Sequence, residues 1–299
     1  NIFATPATRD LCSAMLRDSG HIHEQDALYV NKRRAKQGLP PVEPLYTVED
    51  ATDSLQYFVS LGYNRTLPIA PGTNLAFRDA GHILGSAVVV LDIEEGAKEA
   101  RLVFSGDLGR PGMPILRDPQ VVEDADHLII ESTYGDRQHP EIESTEEQLR
   151  EVVVNTYRRG GKVIVPAFSV GRTQELVYAL HRLIRARDLP DLPIFVDSPL
   201  SVNVTEIFRL HPECYDQEVR DFLASGKIRD PFGFHRLEYI RSVEKSKELN
   251  FLRNPAVIIS ASGMCEAGRI LHHLKNNIED PRNTVLIVIG GYQPGAVEL

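Results

Sequence analysis

The chain has 299 residues and a net charge of −9 at pH 7, with 42% hydrophobic and 25% charged residues, which excludes disordered, collagen-like and coiled-coil chains. No apolar run approaches the roughly 18 residues that a membrane-spanning helix needs. The 3 cysteines are too scattered for a disulfide framework, which favours a reducing, cytoplasmic compartment. The acidic balance argues against a general nucleic-acid coat protein but not against a nuclease, because bound metal ions and a few arginines can hold phosphates. At this length about two domains are expected, and the start at Asn1 rather than methionine suggests a piece of a longer protein.

The first sixty residues are predicted to be mainly helical. Thr5 fits an N-cap with Pro6 at the first helical position, and a second helix with a basic end is expected over residues 26–36. The prolines of residues 38–44 predict an extended linker. Thr47 and Asp50 resemble a capping box, which predicts a helix to about Leu61.

Strands are predicted by short runs of apolar and β-branched residues. Those before residue 131 are expected at 75–78, 87–93, 101–104 and 127–130, with a turn at 96–100. After about residue 136 strands alternate with amphipathic helices, which indicates a parallel sheet flanked by helices. The strands expected there are 162–165, 193–196, 256–259 and 284–289, and the helices are 145–159, 171–186 and about 268–277.

A hairpin of the strands at 87–93 and 101–104 brings two chemically capable residues together. Its register returns Asp107 beside residues 86 and 87, and His82 directly precedes these residues. Gly81 and Gly85 keep side chains away from this end of the hairpin. Histidine and aspartate are zinc ligands, but two ligands are too few for a zinc site, and a lone histidine is more often a hydrogen-bonded core residue.

Seven motifs, in order along nearly the whole chain, resemble those of the metallo-β-lactamase superfamily, and within it the β-CASP branch of metal-dependent nucleases. They are the segments at 81–87 (GHILGSA), 105–109 (SGDLG), 131–136 (ESTYGD), 166–176 (PAFSVGRTQEL), 197–199 (DSP), 260–264 (SASGM) and 291–293 (GYQ). The resemblance implies an α/β fold. Residues 1–136 would form a metallo-β-lactamase-like αββα sandwich without its N-terminal part, and residues 137–299 a β-CASP α/β domain with a mostly parallel sheet.

The resemblance also implies roles for individual residues. His82 would be a zinc ligand, Asp107 would bridge two zinc ions, and Glu131 would orient a catalytic histidine, so that Asp107 and Glu131 are the catalytic residues. The implied activity is zinc-dependent hydrolysis of single-stranded RNA at its phosphodiester bonds, by a cytoplasmic protein that can form a homodimer.

Two parts of the family pattern are absent from the sequence. The His-x-His-x-Asp-His cluster, which lies upstream in the family, does not occur, and neither do the two histidines that follow the Gly-Tyr-Gln region. With only two of the family's ligands, these 299 residues alone are expected to be inactive.

Two histidine pairs could be mistaken for metal ligands. His21 and His23 do not continue into the family cluster, because Gln25 and Asp26 follow, and on a helix residues two apart point away from each other. This segment is interpreted as a solvated helix start. The adjacent His272 and His273 cannot both face one ion and are interpreted as one surface and one interface histidine, or as a phosphate contact.

Loops of small residues that end strands and open helices are candidate phosphate sites, because helix N-termini present free N–H groups. Ordinary turns between strands and helices need small residues too, and on the sequence alone both interpretations stand equally. The resemblance favours RNA or phosphate binding by Arg172, Ser198, Ser262, Gly263 and Arg269.

Other functions remain open from the sequence. Some proteins of the family resemble non-catalytic RNA-binding scaffolds, and others are DNA nucleases. A hydrolase of small esters is disfavoured, because the region after residue 137 would cover the site with phosphate-binding loops.

Overall fold

The computed structural model describes residues 1–133, 135–136, 143–226, 230–289 and 293–297. The chain divides into two compact units. Unit 1 contains Asn1–Leu108 and Pro119–Glu131, and unit 2 contains Gly109–Asp118 and Ser132–Leu299. The chain therefore passes between the units three times. The boundary expected after residue 136 adjoins residues outside the described part and stays a prediction.

Unit 1 begins with a short strand, β1 (Ile2–Ala4), and one long helix, α1 (Pro6–Lys36). Thr5 is the N-cap, and its hydroxyl accepts a hydrogen bond from the Thr8 N–H. The prediction of a separate second helix over residues 26–36 is wrong, because these residues continue α1 without a break. Gly20 is buried, and a Cβ atom there would lie 2.8 Å from the carbonyl oxygen of Thr47, so the glycine allows close packing.

The capping box of Thr47 and Asp50 is confirmed at the start of α2 (Val48–Ser54). The expectation of helix as far as Leu61 is wrong. A 3-10 turn, Leu55–Tyr57, follows α2, and the chain then forms β2 (Phe58–Ser60) parallel to β1. A strand of 3 residues is too short to show a sequence periodicity.

The main sheet of unit 1 has five strands in chain order. They are β3 (Thr66–Ala70), β4 (Thr73–Asp79), β5 (Ala87–Glu95), β6 (Lys98–Phe104) and β7 (His127–Ile129). The predicted hairpin of β5 and β6 is confirmed, with Val89 opposite Phe104, although its turn is confined to residues 96–97. β3 was not predicted, because its Pro68 weakens the strand pattern; β3 lies at the sheet edge, where proline is tolerated.

Both faces of this sheet carry buried apolar side chains. One face packs Ala76, Val88, Val90 and Val103 together, and the other packs Leu75 and Phe77 with Leu61. The hairpin that carries the candidate metal ligands at its end is therefore held by a core on each side.

Unit 2 contains a six-stranded sheet in the order β10-β9-β11-β8-β12-β13. Its strands are β8 (Val163–Pro166), β9 (Ile194–Asp197), β10 (Leu237–Ile240), β11 (Val257–Ser260), β12 (Thr284–Ile289) and β13 (Gln293–Val297). The helices are α3 (Glu143–Arg158), α4 (Arg172–Ala186), α5 (Pro199–Leu210), α6 (Gln217–Ala224), α7 (Val243–Leu249) and α8 (Ile270–Asn277), with a 3-10 turn at Pro212–Cys214.

All pairings in the sheet of unit 2 are parallel except that of β12 with β13. The predicted α/β fold class, with its mostly parallel sheet, is confirmed. The carboxyl ends of β8, β9 and β11 lie at one edge, where ligands of such sheets bind. Within the described residues, no helix has both the length and the hydrophobicity needed to cross a membrane.

Candidate functional site

His82 and Asp107 lie together at the end of the β5–β6 hairpin. The His82 Nε2 atom is 3.8 Å from Asp107 Oδ2, and the two side chains are 42% and 75% exposed. The juxtaposition expected from the hairpin register is thus present. Both side chains are exposed, so an ion or a water molecule from the solvent can reach them.

Backbone hydrogen bonds fix the loop that carries His82. The Asp79 carboxylate accepts from the Gly81 N–H, and the Ser86 hydroxyl oxygen accepts from the His82 N–H, each at 3.0 Å. The Tyr63 hydroxyl donates to the Ser86 carbonyl at 2.8 Å. These bonds set the position of His82 before any ligand arrives.

The start of α1 supports the same loop from the other side. The hydroxyls of Thr5 and Thr8 both donate to the Gly85 carbonyl, each at 2.8 Å, although about 80 residues separate them in the sequence. Gly85 has φ +81°, and a Cβ atom would lie 2.6 Å from the Thr8 nitrogen. Glycine is required here both by its backbone conformation and by this close approach. Sequence analysis identified Thr5 only as a helix cap.

Gly85→Ala is therefore expected to lower the free energy of unfolding by more than the ~1–2 kcal/mol that a left-handed alanine costs. The matched control is Gly96→Ala, since Gly96 has φ +66° but open space around its Cβ position. Urea unfolding of both variants measures their free energies of unfolding. The extra loss in Gly85→Ala is the cost of the contact with Thr8. Equal losses in the two variants would contradict the close approach.

Glu131 holds the loop that carries Asp107. Its Oε1 atom accepts a hydrogen bond from the Leu108 N–H at 2.6 Å, and its own N–H donates to the Ser105 hydroxyl at 3.0 Å. Gly106, with φ +57°, allows the chain to turn between them. Glu131 thus fixes the position of Leu108, the residue next to Asp107. No sequence pattern indicated this hydrogen bond.

The donor atoms of His82 and Asp107 fit a zinc ion as part of its ligand set. Two ligands of a tetrahedral zinc ion lie about 3.4 Å apart, given bonds of about 2.0–2.1 Å, and the observed 3.8 Å is close to this separation. Among the described residues, no group of three or more His, Cys, Asp or Glu side chains is arranged around one point. This pair alone is therefore an incomplete zinc site.

The predicted phosphate-binding residues lie at the carboxyl edge of the sheet in unit 2. Ser198 caps α5, with its hydroxyl accepting from the Ser201 N–H at 3.1 Å. Arg172 is the first residue of α4, and its guanidinium donates to Glu175 at 2.6 Å. The Ser262 hydroxyl oxygen is buried and has no hydrogen-bond partner among the described residues. A buried hydroxyl without a partner costs free energy, so a ligand atom there would be favourable.

Gly263 brings two loops of this edge into contact. A Cβ atom at Gly263 would lie 3.1 Å from the Phe168 nitrogen and 3.0 Å from its ring, so the loop after β11 packs against the loop after β8. Ser169 and Ser198 approach with their hydroxyl oxygens 3.4 Å apart. The three loops that follow β8, β9 and β11 therefore converge, as expected where parallel strands end at one edge of a sheet.

Arg269 is engaged in a buried ion pair. Its guanidinium lies 2.6 Å from an oxygen of Asp197, which is fully buried, and donates to the carbonyls of Arg241 at 2.6 Å and Ile240 at 3.5 Å. Since the guanidinium has five N–H donors, it retains donors beyond these bonds. Arg269 therefore has a structural role, which the sequence did not reveal. If it also binds a phosphate, it does so while it keeps these contacts.

His273 completes the network around Asp197. Its Nε2 atom is 2.6 Å from Asp197 Oδ2, its Nδ1 atom is 3.0 Å from Asn250 Oδ1, and the Ser246 hydroxyl donates to the same carboxylate oxygen. His272 is exposed while His273 is fully buried. The prediction of one surface and one interface histidine agrees with the structure in that His272 is exposed and His273 packs against neighbouring elements through Asp197 and Asn250.

The other histidine pair lies in the middle of α1, so its interpretation as a helix start is wrong. Gly20 does not break the helix before it, and His21 and His23 lie two residues apart on one continuous helix. The conclusion that they do not form a metal site rests on the helix and is unaffected. Two of the motifs reach beyond the described residues, at Tyr134 and at residues 291–292.

Comparison with known proteins gives consistent matches. Residues 173–295 match the model of the β-CASP domain. Ribonuclease TTHA0252 of Thermus thermophilus is 38% identical over 252 residues, which is 84% of this chain and 56% of that protein. Transcription termination factor FttA of Methanosarcina mazei is 32% identical over 98% of this chain and 43% of the factor. An RNase J-like protein of Methanocaldococcus jannaschii is 32% identical over 83% of this chain and 56% of its own length. The chain spans about half the length of the curated relatives it matches.

Proposed function

The chain belongs to the β-CASP family, and from this membership we propose that the protein is a zinc-dependent ribonuclease that hydrolyses phosphodiester bonds of single-stranded RNA. The observation that carries the proposal is the pairing of His82 with Asp107 at an accessible loop end. The relatives named as a ribonuclease and as RNase J-like support an RNA substrate. Cytoplasmic location and homodimer formation remain predictions from the sequence.

In this proposal each residue of the metal centre has a separate task. His82 Nε2 and the Asp107 carboxylate would hold zinc as part of its ligand set. A bound zinc ion would supply Lewis-acid chemistry, acidifying a water molecule and stabilising negative charge on the phosphate. Glu131 keeps Asp107 in place through the Leu108 N–H and orients the histidine that donates a proton to the leaving oxygen.

The carboxyl edge of the sheet in unit 2 is proposed to bind RNA phosphates. Ser262, whose hydroxyl has no partner among the described residues, and Ser198 present polar groups, and Gly263 lets the loop after β11 pack against the loop after β8. Arg172 and Arg269 supply positive charge although each also pairs with a carboxylate. Phosphate contacts position the strand without selecting a base sequence.

The test is cleavage of matched single-stranded RNA and DNA by the whole gene product, with its zinc content measured. Cleavage of RNA that stops in a chelator and returns with zinc is the expected result. Cleavage of DNA alone would indicate a DNA nuclease, and binding of RNA without metal-dependent cleavage would indicate a scaffold. Either result would overturn the proposed function.

A further inference from the structure

The last turn of α1 carries a concentrated positive charge in an acidic protein. Lys32, Arg33, Arg34 and Lys36 follow one another closely, and residues 27–42 contain no acidic residue, whereas the whole chain has 42 acidic and 33 basic residues. Within the part of the chain that the structure describes, no carboxylate forms an ion pair with these four side chains. A helix C-terminus carries only about half a negative charge, so the helix dipole does not account for four cations.

After α1 the chain turns back and forms hydrogen bonds to the end of the helix. Residues 27–45, which include the end of the helix and this returning segment, are here called the basic arm. The Asn31 side-chain amide donates to the Val42 carbonyl and accepts from the Val42 N–H, each at 2.8 Å. The Arg34 Nε–H donates to the Pro40 carbonyl at 2.6 Å. Arg34 is thereby used in holding the arm together, and Lys32, Arg33 and Lys36 remain exposed.

An aromatic side chain lies beside these cations. The Tyr29 ring is 59% exposed, and the Arg33 guanidinium lies 5.2 Å from its centroid. Exposed aromatic rings among basic side chains are the components from which single-stranded nucleic-acid sites are built, since bases stack on the ring while cations contact phosphates.

The exposed apolar residues of the arm do not form a membrane-binding face. Leu28, Tyr29 and Val30 are consecutive and all exposed, so they point about 100° apart around the helix. A helix that lies in a membrane surface needs one continuous apolar face. The composition of the arm therefore favours a polyanion over a lipid surface.

We propose that the basic arm is a binding surface for the backbone of single-stranded RNA, built from residues that belong neither to the proposed metal centre nor to the proposed phosphate-binding loops of unit 2. Lys32, Arg33 and Lys36 contact phosphates, and Tyr29 stacks on a base. The proposal rests on the proposed RNA function, and it adds to that function a contact that increases affinity without selecting sequence.

The test compares the protein with the triple variant Lys32→Gln, Arg33→Gln, Lys36→Gln. Binding of a fluorescent single-stranded RNA of mixed sequence is measured by anisotropy at several salt concentrations, in a chelator so that the RNA is not cleaved. Each phosphate contact contributes about 0.7 to the slope of log affinity against log salt, so the slope is expected to fall by about 2. At 0.1 M salt this corresponds to a loss in affinity on the order of a hundredfold. The single variant Arg33→Gln should show about a third of the change in slope.

The control is a second triple variant, Arg17→Gln, Arg65→Gln, Lys98→Gln, which removes the same charge from exposed positions elsewhere in unit 1. This control is expected to keep the affinity and the slope close to those of the unmodified protein. Equal losses in both triple variants would show that net charge, and not the arm, determines binding, and would overturn the inference.

Two further outcomes separate the arm from the proposed function. If the unmodified protein binds no RNA, both the arm and the RNA function are wrong. If it binds RNA and the arm variant binds equally well, only the arm is wrong. Phosphatidylserine vesicles are tested in parallel, and a variant that loses vesicle binding while keeping RNA binding would assign the arm to membranes and overturn the inference.

Discussion

Replacing Asp197 by alanine is expected to lower the free energy of unfolding by about 3–5 kcal/mol, the usual cost of removing one partner from a buried ion pair. Asp197 is fully buried and accepts bonds from Arg269, His273 and Ser246. Without the carboxylate, the Arg269 guanidinium is left largely buried without its counter-charge. Urea-induced unfolding of the variant measures the loss.

The matched control is Asp191→Ala. Asp191 also pairs with an arginine, Arg236, but this pair is exposed, and surface ion pairs contribute about 0–1 kcal/mol. A loss at Asp197 no larger than that at Asp191 would contradict the structural role of the buried network.

The same network predicts a dependence on pH. Burial alone raises the pKa of Asp197, but hydrogen bonds from His273, Ser246 and Arg269 outweigh burial and hold that pKa below its ordinary value. A carboxyl group whose pKa is lowered by folding stabilises the fold above its unfolded pKa, about 3.9, and the stabilisation is lost as the pH falls through the folded pKa. The difference in stability between the protein and Asp197→Ala should therefore be constant near neutral pH and shrink below about pH 4.

The second large effect is expected at the proposed metal centre. His82→Ala and Asp107→Asn in the whole gene product should each reduce metal-dependent RNA cleavage about a thousandfold, since metal ions contribute several kcal/mol to stabilisation of the transition state and each 1.36 kcal/mol is a factor of ten. Zinc content, measured on the same preparations, should fall with the activity.

Exposed residues of the same types provide the controls. His21→Ala and Asp53→Asn alter an exposed histidine and an exposed aspartate away from the hairpin end and should leave cleavage and zinc content unchanged. If His82→Ala retained full activity and full zinc content, the proposed role of this loop would be wrong.

The sequence predicted the hairpin site well because strand pairing follows simple rules. Once β5 and β6 are recognised, continuing the antiparallel register places Asp107 level with Ser86, four residues after His82. The polar ends of β8, β9 and β11 were predictable for the same reason, because parallel strands end at one edge. Local patterns were sufficient wherever the position of a residue depends on its own strand or helix.

Sequence reasoning failed where a role depends on contacts between distant segments. Arg269 and Asp197 are 72 residues apart, and no local pattern indicates that the arginine faces a buried carboxylate as well as the loop edge. The close packing of Thr47 against Gly20 and the support of Gly85 by Thr5 and Thr8 likewise join segments that are far apart in the sequence. These roles depend on burial and on hydrogen bonds between distant segments, and local sequence periodicity predicts neither.

The hydrogen bond from Leu108 to Glu131 joins two of the three places where the chain leaves one unit for the other. Leu108 is the last residue of unit 1 before the first passage, and Glu131 is the last before the third. Because Asp107 is adjacent to Leu108, this bond ties the loop of the proposed metal ligand to the residue at which the chain last leaves unit 1. A single proteolytic cut at any one passage would likewise release neither unit as a separate polypeptide, since residues of unit 2 lie between those of unit 1.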